Sequence, residues 1–172
     1  MPPAVALGGR GDDHIPPMHD LSDLLRHDAV LTGLPATNKK LLFGQLAGVA
    51  ARVTGLDARD LADRLALREK LGSTGFGAGV AIPHARMDGL PAITGVFARL
   101  AQPIDFGAVD DLPVDLVFVL LSPSDAGATH LKALARVSRR LRDRALLAKL
   151  RGAGSPDALY ALLSAGDTRD AA

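Results

Sequence analysis

The chain has no cysteine and no tryptophan, and only one tyrosine and five phenylalanines among 172 residues. Without thiols there are no disulfides, no thiolate nucleophile and no zinc–thiolate site, which fits a reducing compartment. No apolar run approaches the roughly 18 residues of a membrane-spanning helix, so no membrane insertion is expected. The first residues lack a basic stretch followed by an apolar one, so no secretory signal is expected and the predicted location is the cytoplasm. Charge of either sign is also in short supply: twenty Lys and Arg against nineteen Asp and Glu leave a formal net charge of +1, and no case for nucleic acid as a partner.

What is present is aliphatic. Hydrophobic residues make up 48% of the chain and aromatics 3%, so an Ala/Leu/Val core is expected, and the length suits a single domain. Residues 1–18, with Pro2, Pro3, Gly8, Gly9, Gly11, Pro16 and Pro17, read as a flexible arm; 19–166 read as the domain and 167–172 as a flexible tail. Asn38 predicts a cap for a helix over Lys39–Thr54, with Leu42, Leu46, Val49 and Ala50 at helical spacing and Gly55 as its stop. Asp57 predicts a second cap for Ala58–Lys70, and Gly72–Gly79 must then be a loop. Three strand-like runs follow, Val80–Ile82, Ile93–Leu100 and Val114–Leu121. The last is almost continuously apolar, as a central strand covered on both faces would be. A helix over Thr129–Asp143 is expected to place Leu131, Leu134, Ala135, Ser138 and Leu141 on one face, with shorter helices over Ala145–Leu150 and Pro156–Leu163. Strands interleaved with helices predict an α/β fold, with a central mixed β-sheet covered by helices.

Gly72-Ser73-Thr74-Gly75-Phe76-Gly77-Ala78-Gly79 carries four glycines in eight residues but matches no nucleotide loop. Ala78-Gly79 stands where a P-loop needs Lys-Ser/Thr, and Val80 stands where the dinucleotide pattern needs its last glycine. The loop is either a plain connector or a concave anion-binding nest of N–H groups with the hydroxyls of Ser73 and Thr74. Immediately after it, Pro83 restricts the backbone and delivers His84 at what reads as a strand's end, where ligands of α/β sheets gather. His84 could be a general base, a metal ligand, a nucleophile or a satisfied turn residue. No second ligand lies nearby on the same face, so no metal is expected. His130, at the start of the Thr129–Asp143 helix, is either a surface residue or a second imidazole at the same sheet edge. Arg68, at the end of the second helix, is either a helix-terminal charge or a group within reach of an anion on the loop. Together the three form a His/His/Arg set suited to a phosphoryl group.

Other features are blander. His14, His19 and His27 read as exposed side chains without metal-ligand spacing. Lys132–Arg151 carries eight basic residues against one acidic, Asp143, and reads as a solvated helix face or a docking face for an acidic protein.

Arg68-Glu69-x-x-Gly72-Ser73-Thr74-Gly75-x-Gly77 followed by Val80-Ala81-Ile82-Pro83-His84 resembles the signature of the fructose/mannitol-type enzyme IIA domains of the bacterial phosphoenolpyruvate-dependent phosphotransferase system. The likeness continues through Gln102-Pro103-Ile104-Asp105-Phe106, Pro113-Val114-Asp115-Leu116-Val117-Phe118 and His130-Leu131-x-x-Leu134-Ala135, over roughly Leu21 to Leu163. It is nearest to the stand-alone nitrogen-regulatory enzyme IIA proteins, since no transporter or phosphocarrier segment accompanies the domain. Ala85-Arg86 departs from the common Gly-Lys but keeps the positive charge. The resemblance implies the enzyme IIA fold and a phosphohistidine phosphotransferase without a cofactor. His84 would accept a phosphoryl group from a histidine phosphocarrier protein, with His130 and Arg68 assisting and Ser73, Thr74 and Gly75 lining the phosphate pocket. Regulated targets such as a sensor kinase or transporter would respond to its phosphorylation state. The alternatives are a sugar-transport enzyme IIA passing phosphate to a IIB component, and a purely binding regulator with vestigial transfer.

Overall fold

The computed structural model describes residues 21–165. The arm over 1–18, the tail over 167–172, and His14 and His19 lie outside the described residues.

The sheet is built around β6 (Val114–Pro123), the apolar run expected to be central. One flank pairs antiparallel with β5 (Thr94–Ile104), which pairs in parallel with β1 (Leu25–Leu34). The other flank pairs in parallel with β3 (Val80–Ala81) and then β4 (His84–Met87), while β2 (Gly75–Gly77) closes a hairpin on β3. The sheet is therefore mixed, as expected. Successive side chains of β6 enter different cores, as a period of two requires. Val117, Val119 and Leu121 meet α1 (Lys39–Thr54) and α2 (Ala58–Lys70) through Leu42, Leu46, Leu61 and Leu65. Leu116, Phe118 and Leu120 share the opposite core with Val137, Leu141, Leu150, Leu159 and Leu163. Those residues belong to or adjoin α3 (Ala128–Arg140), α4 (Arg144–Gly152) and α5 (Pro156–Ser164). Burying each such leucine contributes about 2 kcal/mol, so the two helical layers are held by the same strand from opposite sides.

The helix ends follow local chemistry. The Asn38 side chain accepts from the Leu41 N–H, and Gly55 ends α1 in the left-handed region at φ 76°. The Asp57 side chain accepts from the Arg59 N–H at the start of α2. Both helices span the predicted residues.

Two expectations need correction, and one strand was not foreseen. The buried face of α3 is His130, Ala133, Val137 and Arg140, whereas Leu131 is 62% exposed and Ala135 is exposed. Leu141 is buried and Leu134 packs on the same core as expected, but Leu131 and Ala135 lie outside the face, and two polar residues, His130 and Arg140, are buried in it. The Arg140 guanidinium donates to the carbonyls of Leu162 and Ala165, closing the last turn of α5. Strand β1 is the one that polarity hid: Arg26-His27-Asp28 interrupts its apolar residues, and its register on β5 shifts. The other correction is that Gly72–Gly79 is not all loop, since Gly75–Gly77 pairs with Val80–Ala81. Among the described residues no helix is long and apolar enough to cross a membrane.

Gly95 on β5 shows how tightly the sheet is covered. A Cβ there would lie 2.7 Å from the Phe118 ring and 3.0 Å from the Leu24 carbonyl oxygen. Gly95→Ala is therefore expected to destabilise the fold by about 1–3 kcal/mol. An unchanged urea midpoint would contradict this packing.

Candidate functional site

Val80 and Ala81 pair with Leu116 and Val117, and His84 to Met87 pair with Leu120 to Pro123. The two short strands thus share one register along β6, interrupted only at Ile82-Pro83. Pro83 offers no N–H, yet its carbonyl still accepts from the Leu120 N–H at 2.9 Å. His84 thus stands just past the end of β3, as expected, but it is also the first residue of β4, so the line runs on to Met87 beyond the point where the ladder loses a donor.

That gap determines the imidazole's hydrogen bonds. The Ile82 N–H is used by the Thr74 carbonyl at 3.0 Å, where the β2 hairpin ends. The Ile82 carbonyl takes the His84 ring instead, with Nδ1 at 2.9 Å. A carbonyl can only accept, so Nδ1 carries the proton and Nε2 carries the lone pair. Arg68, in the last turn of α2, donates from Nε to His84 Nε2 at 3.2 Å and from Nη1 to the Gly72 carbonyl at 2.9 Å. Burial is the largest influence on His84 and pulls its pKa below the ordinary 6.5; the Arg68 charge pulls the same way, against the Ile82 hydrogen bond and the Glu69 carboxylate. The neutral, nucleophilic form is the one favoured.

His130 joins from the other side of the sheet edge. It sits in the first turn of α3, is 5% exposed, and its ring centroid lies 5.6 Å from that of His84 at a 48° tilt. Its Nδ1 lies 2.6 Å from the Ser122 hydroxyl oxygen near the end of β6. Its pKa is also lowered, first by burial and then by His84 and Arg86. The structure therefore brings His84, His130 and Arg68 together as the sequence suggested. Ser122 was missed. Its one signal is a polar residue closing the apolar run Val117-Phe118-Val119-Leu120-Leu121, which reads equally well as a strand terminator.

The loop residues have other partners. The Thr74 N–H and hydroxyl both donate to the Glu69 carboxylate, the hydroxyl at 2.6 Å, and Lys39 reaches the same carboxylate at 2.8 Å. The Ser73 hydroxyl donates to the Phe106 carbonyl and accepts from the Gly75 N–H. Gly75 is needed for packing, since a Cβ there would meet the Ala108 Cβ at 2.8 Å. The expected anion nest thus already holds an anion, the chain's own Glu69. His27, as expected, is exposed, and it pairs with Asp157 at 2.9 Å. Lys132–Arg151 does not form one uniform face: Arg136 binds Asp23, Arg151 binds Asp115, and Arg140 is buried.

Among the described residues no cluster of three His, Asp or Glu side chains could hold a metal. Clefts of about 550–600 Å3 lie elsewhere, for example the one lined by Lys39, Phe43, Ala66 and Glu69, and His84, His130 and Arg68 line none of three such clefts among the described residues. Small-molecule sites are usually enclosed hollows. His84 is half-buried and approached from outside.

Because both imidazoles titrate below 6.5, each contributes stability that is intact above that pH and lost as the pH falls through its lowered folded value. NMR titration is expected to give midpoints below 6.5 for both rings. Arg68→Gln is expected to raise the His84 midpoint by removing the nearby cation, and a fall or no change would contradict the assigned cause.

Known proteins are similar along most of the chain. Residues 23–166 match the family model described as phosphoenolpyruvate-dependent sugar phosphotransferase system, EIIA 2. The chain is 48% identical over 144 residues to a nitrogen regulatory protein of Bradyrhizobium diazoefficiens, covering 84% of this chain and 94% of that one. It is 38% identical to the nitrogen regulatory protein of Escherichia coli, covering 84% and 89%. The crystal structure of nitrogen regulatory protein IIA-Ntr from Neisseria meningitidis superposes with a TM-score of 0.78 at 35% identity, covering 82% of this chain and 97% of that one. The mannitol IIA of Escherichia coli shares the fold, with a TM-score of 0.66 at 21% identity, covering 78% and 96%. With its sheet and these relatives in agreement, the chain belongs to the EIIA type-2 family of the phosphoenolpyruvate-dependent sugar phosphotransferase system, among relatives that include the nitrogen regulatory proteins.

Proposed function

We propose that the protein is a cytoplasmic phosphohistidine phosphotransferase of the nitrogen-regulatory kind, which accepts a phosphoryl group on His84 Nε2 from a histidine phosphocarrier protein. The observation that carries this reading is the state of His84. Its Nδ1–H is tied to the Ile82 carbonyl, and its Nε2 lone pair points at an arginine rather than into the core.

In the proposed step the Nε2 lone pair attacks phosphorus in line with the donor's phosphorus–nitrogen bond. That bond breaks, its electron pair returns to the donor imidazole, and the new bond forms at Nε2. Positive charge develops on the His84 ring, and the Ile82 carbonyl stabilises it through Nδ1–H. The Arg68 Nε–H must leave Nε2 as the phosphoryl group arrives, and the guanidinium then donates to phosphoryl oxygens. Such transfers depend on placement and charge stabilisation more than on new covalent chemistry. Ser73, Thr74 and Gly75 would border the phosphate through the shape of their loop, since the hydroxyls are engaged elsewhere. The exposed Leu71 and Leu131, next in sequence to the helix end of Arg68 and to His130, support a protein surface as the donor's docking platform. Phosphorylation would add a charge near −2 beside Arg68 and change which target, such as a sensor kinase or transporter, the protein binds.

Incubation with phosphoenolpyruvate, enzyme I and the cognate phosphocarrier is expected to add one acid-labile phosphoryl group. His84→Ala is expected to abolish the gain, and His130→Ala to slow it roughly tenfold or more while phosphorylation remains at His84. A mass gain that persists in His84→Ala overturns the assignment.

A second reading is favoured by 35% identity over 146 residues to a protein named as the fructose-specific EIIA component in Haloferax volcanii. Under it, His84 would pass the phosphoryl group on to a IIB component. Fast discharge of the phosphorylated protein by a fructose-type IIB favours transport, and resistance to discharge favours regulation.

A further inference from the structure

Ser122 has no exposed surface, and the hydrogen bond made by its hydroxyl is to His130 Nδ1 at 2.6 Å. Strand β6 holds it rigidly, with Arg86 opposite it on β4. A buried hydroxyl proton left without an acceptor costs about 1–3 kcal/mol, and Nδ1 is the acceptor on hand. If Nδ1 carried the proton instead, the Ser122 O–H would have nowhere to donate. The His130 Nε2, by contrast, makes no hydrogen bond and is not among the buried side-chain atoms that lack a partner. It is the nitrogen left open in a ring whose centroid lies 5.6 Å from that of His84.

We infer that Ser122 is a positioning residue for phosphoryl transfer: its hydroxyl donates to His130 Nδ1 and fixes the ring so that Nε2–H faces a group bound at His84. This deepens the phosphoryl-acceptor reading above and rests on it. The chemistry distinguishes the two tautomers sharply. An Nε2–H can donate to the oxygens of an arriving phosphoryl group, whereas an Nε2 lone pair would repel them. Ring orientation matters equally, because a donor that rotates must be ordered again at each transfer. Ser122 therefore acts through His130 and touches neither the phosphoryl group nor His84.

Two measurements on the full chain test this. Nitrogen-15 NMR of the unphosphorylated wild type is expected to show His130 with an unprotonated Nδ1 and a protonated Nε2. The opposite pattern overturns the inference, and this measurement needs no phosphoryl donor. In single-turnover transfer from the phosphorylated phosphocarrier, Ser122→Ala is expected to be about tenfold slower. Ser122→Thr, which keeps the hydroxyl, is expected to stay within about threefold of wild type. In a His130→Ala background, Ser122→Ala is expected to have no further effect, because the pair acts as a unit. A Ser122→Ala protein that transfers at the wild-type rate, or a slowing that persists undiminished without His130, overturns the positioning role. Failure of the wild type itself to take up phosphate would instead remove the acceptor reading, leaving the tautomer result to stand or fall on its own.

Discussion

Between Val80 and Met87 the chain keeps one register on β6 although Pro83 has no N–H to give. A strand that loses a donor this way usually frays or moves to an edge. Here both flanks of the gap are secured: the Pro83 carbonyl stays on the Leu120 N–H, and the β2 hairpin holds the Ile82 N–H. What is left over is a single carbonyl, that of Ile82, and the imidazole two residues along takes it. The tautomer of His84 is thus settled by backbone accounting, and the direction of its reactive nitrogen follows. A proline, a hairpin and a neighbouring strand together perform what a buried carboxylate does in many histidine sites.

The electrostatics follow the same economy. Neither ring has a carboxylate hydrogen-bonded to it, and burial is the largest influence on both. Glu69, adjacent in sequence to Arg68, is turned into the glycine loop, where it pairs with Lys39 and accepts from Thr74. That arrangement separates the roles of two adjacent residues: the acid braces the loop, and the base is left for His84. Were Glu69 on Arg68 instead, the guanidinium would be occupied and the imidazole would be easier to protonate.

Much of this was legible in the chain. Asn38, Gly55 and Asp57 mark their helices because capping is local chemistry that tertiary contacts did not override. The central strand was legible because Val114–Leu121 is apolar on both faces. His84, His130 and Arg68 were legible as a set, though their meeting depends on two helices approaching one sheet edge from opposite sides. Strand β1 was hidden because Arg26, His27 and Asp28 mask its period, and pairing with β5 decides its state. The face of α3 was legible through Leu134 and Leu141 but not through His130 and Arg140, whose buried side chains make specific hydrogen bonds that hydropathy does not register. Ser122 was unreadable for a related reason: its importance lies in a partner eight residues away across a turn.

The absence of His84, Arg68 and His130 from the walls of the large clefts has a consequence of its own. Among the described residues, His84 is half-buried between Arg68 and His130, and none of those clefts opens on it. If His84 accepts a phosphoryl group as proposed, shelter from water would come from the macromolecule docked there at that moment. On the proposed reading, the domain is half of a reaction chamber whose other half travels with each visitor.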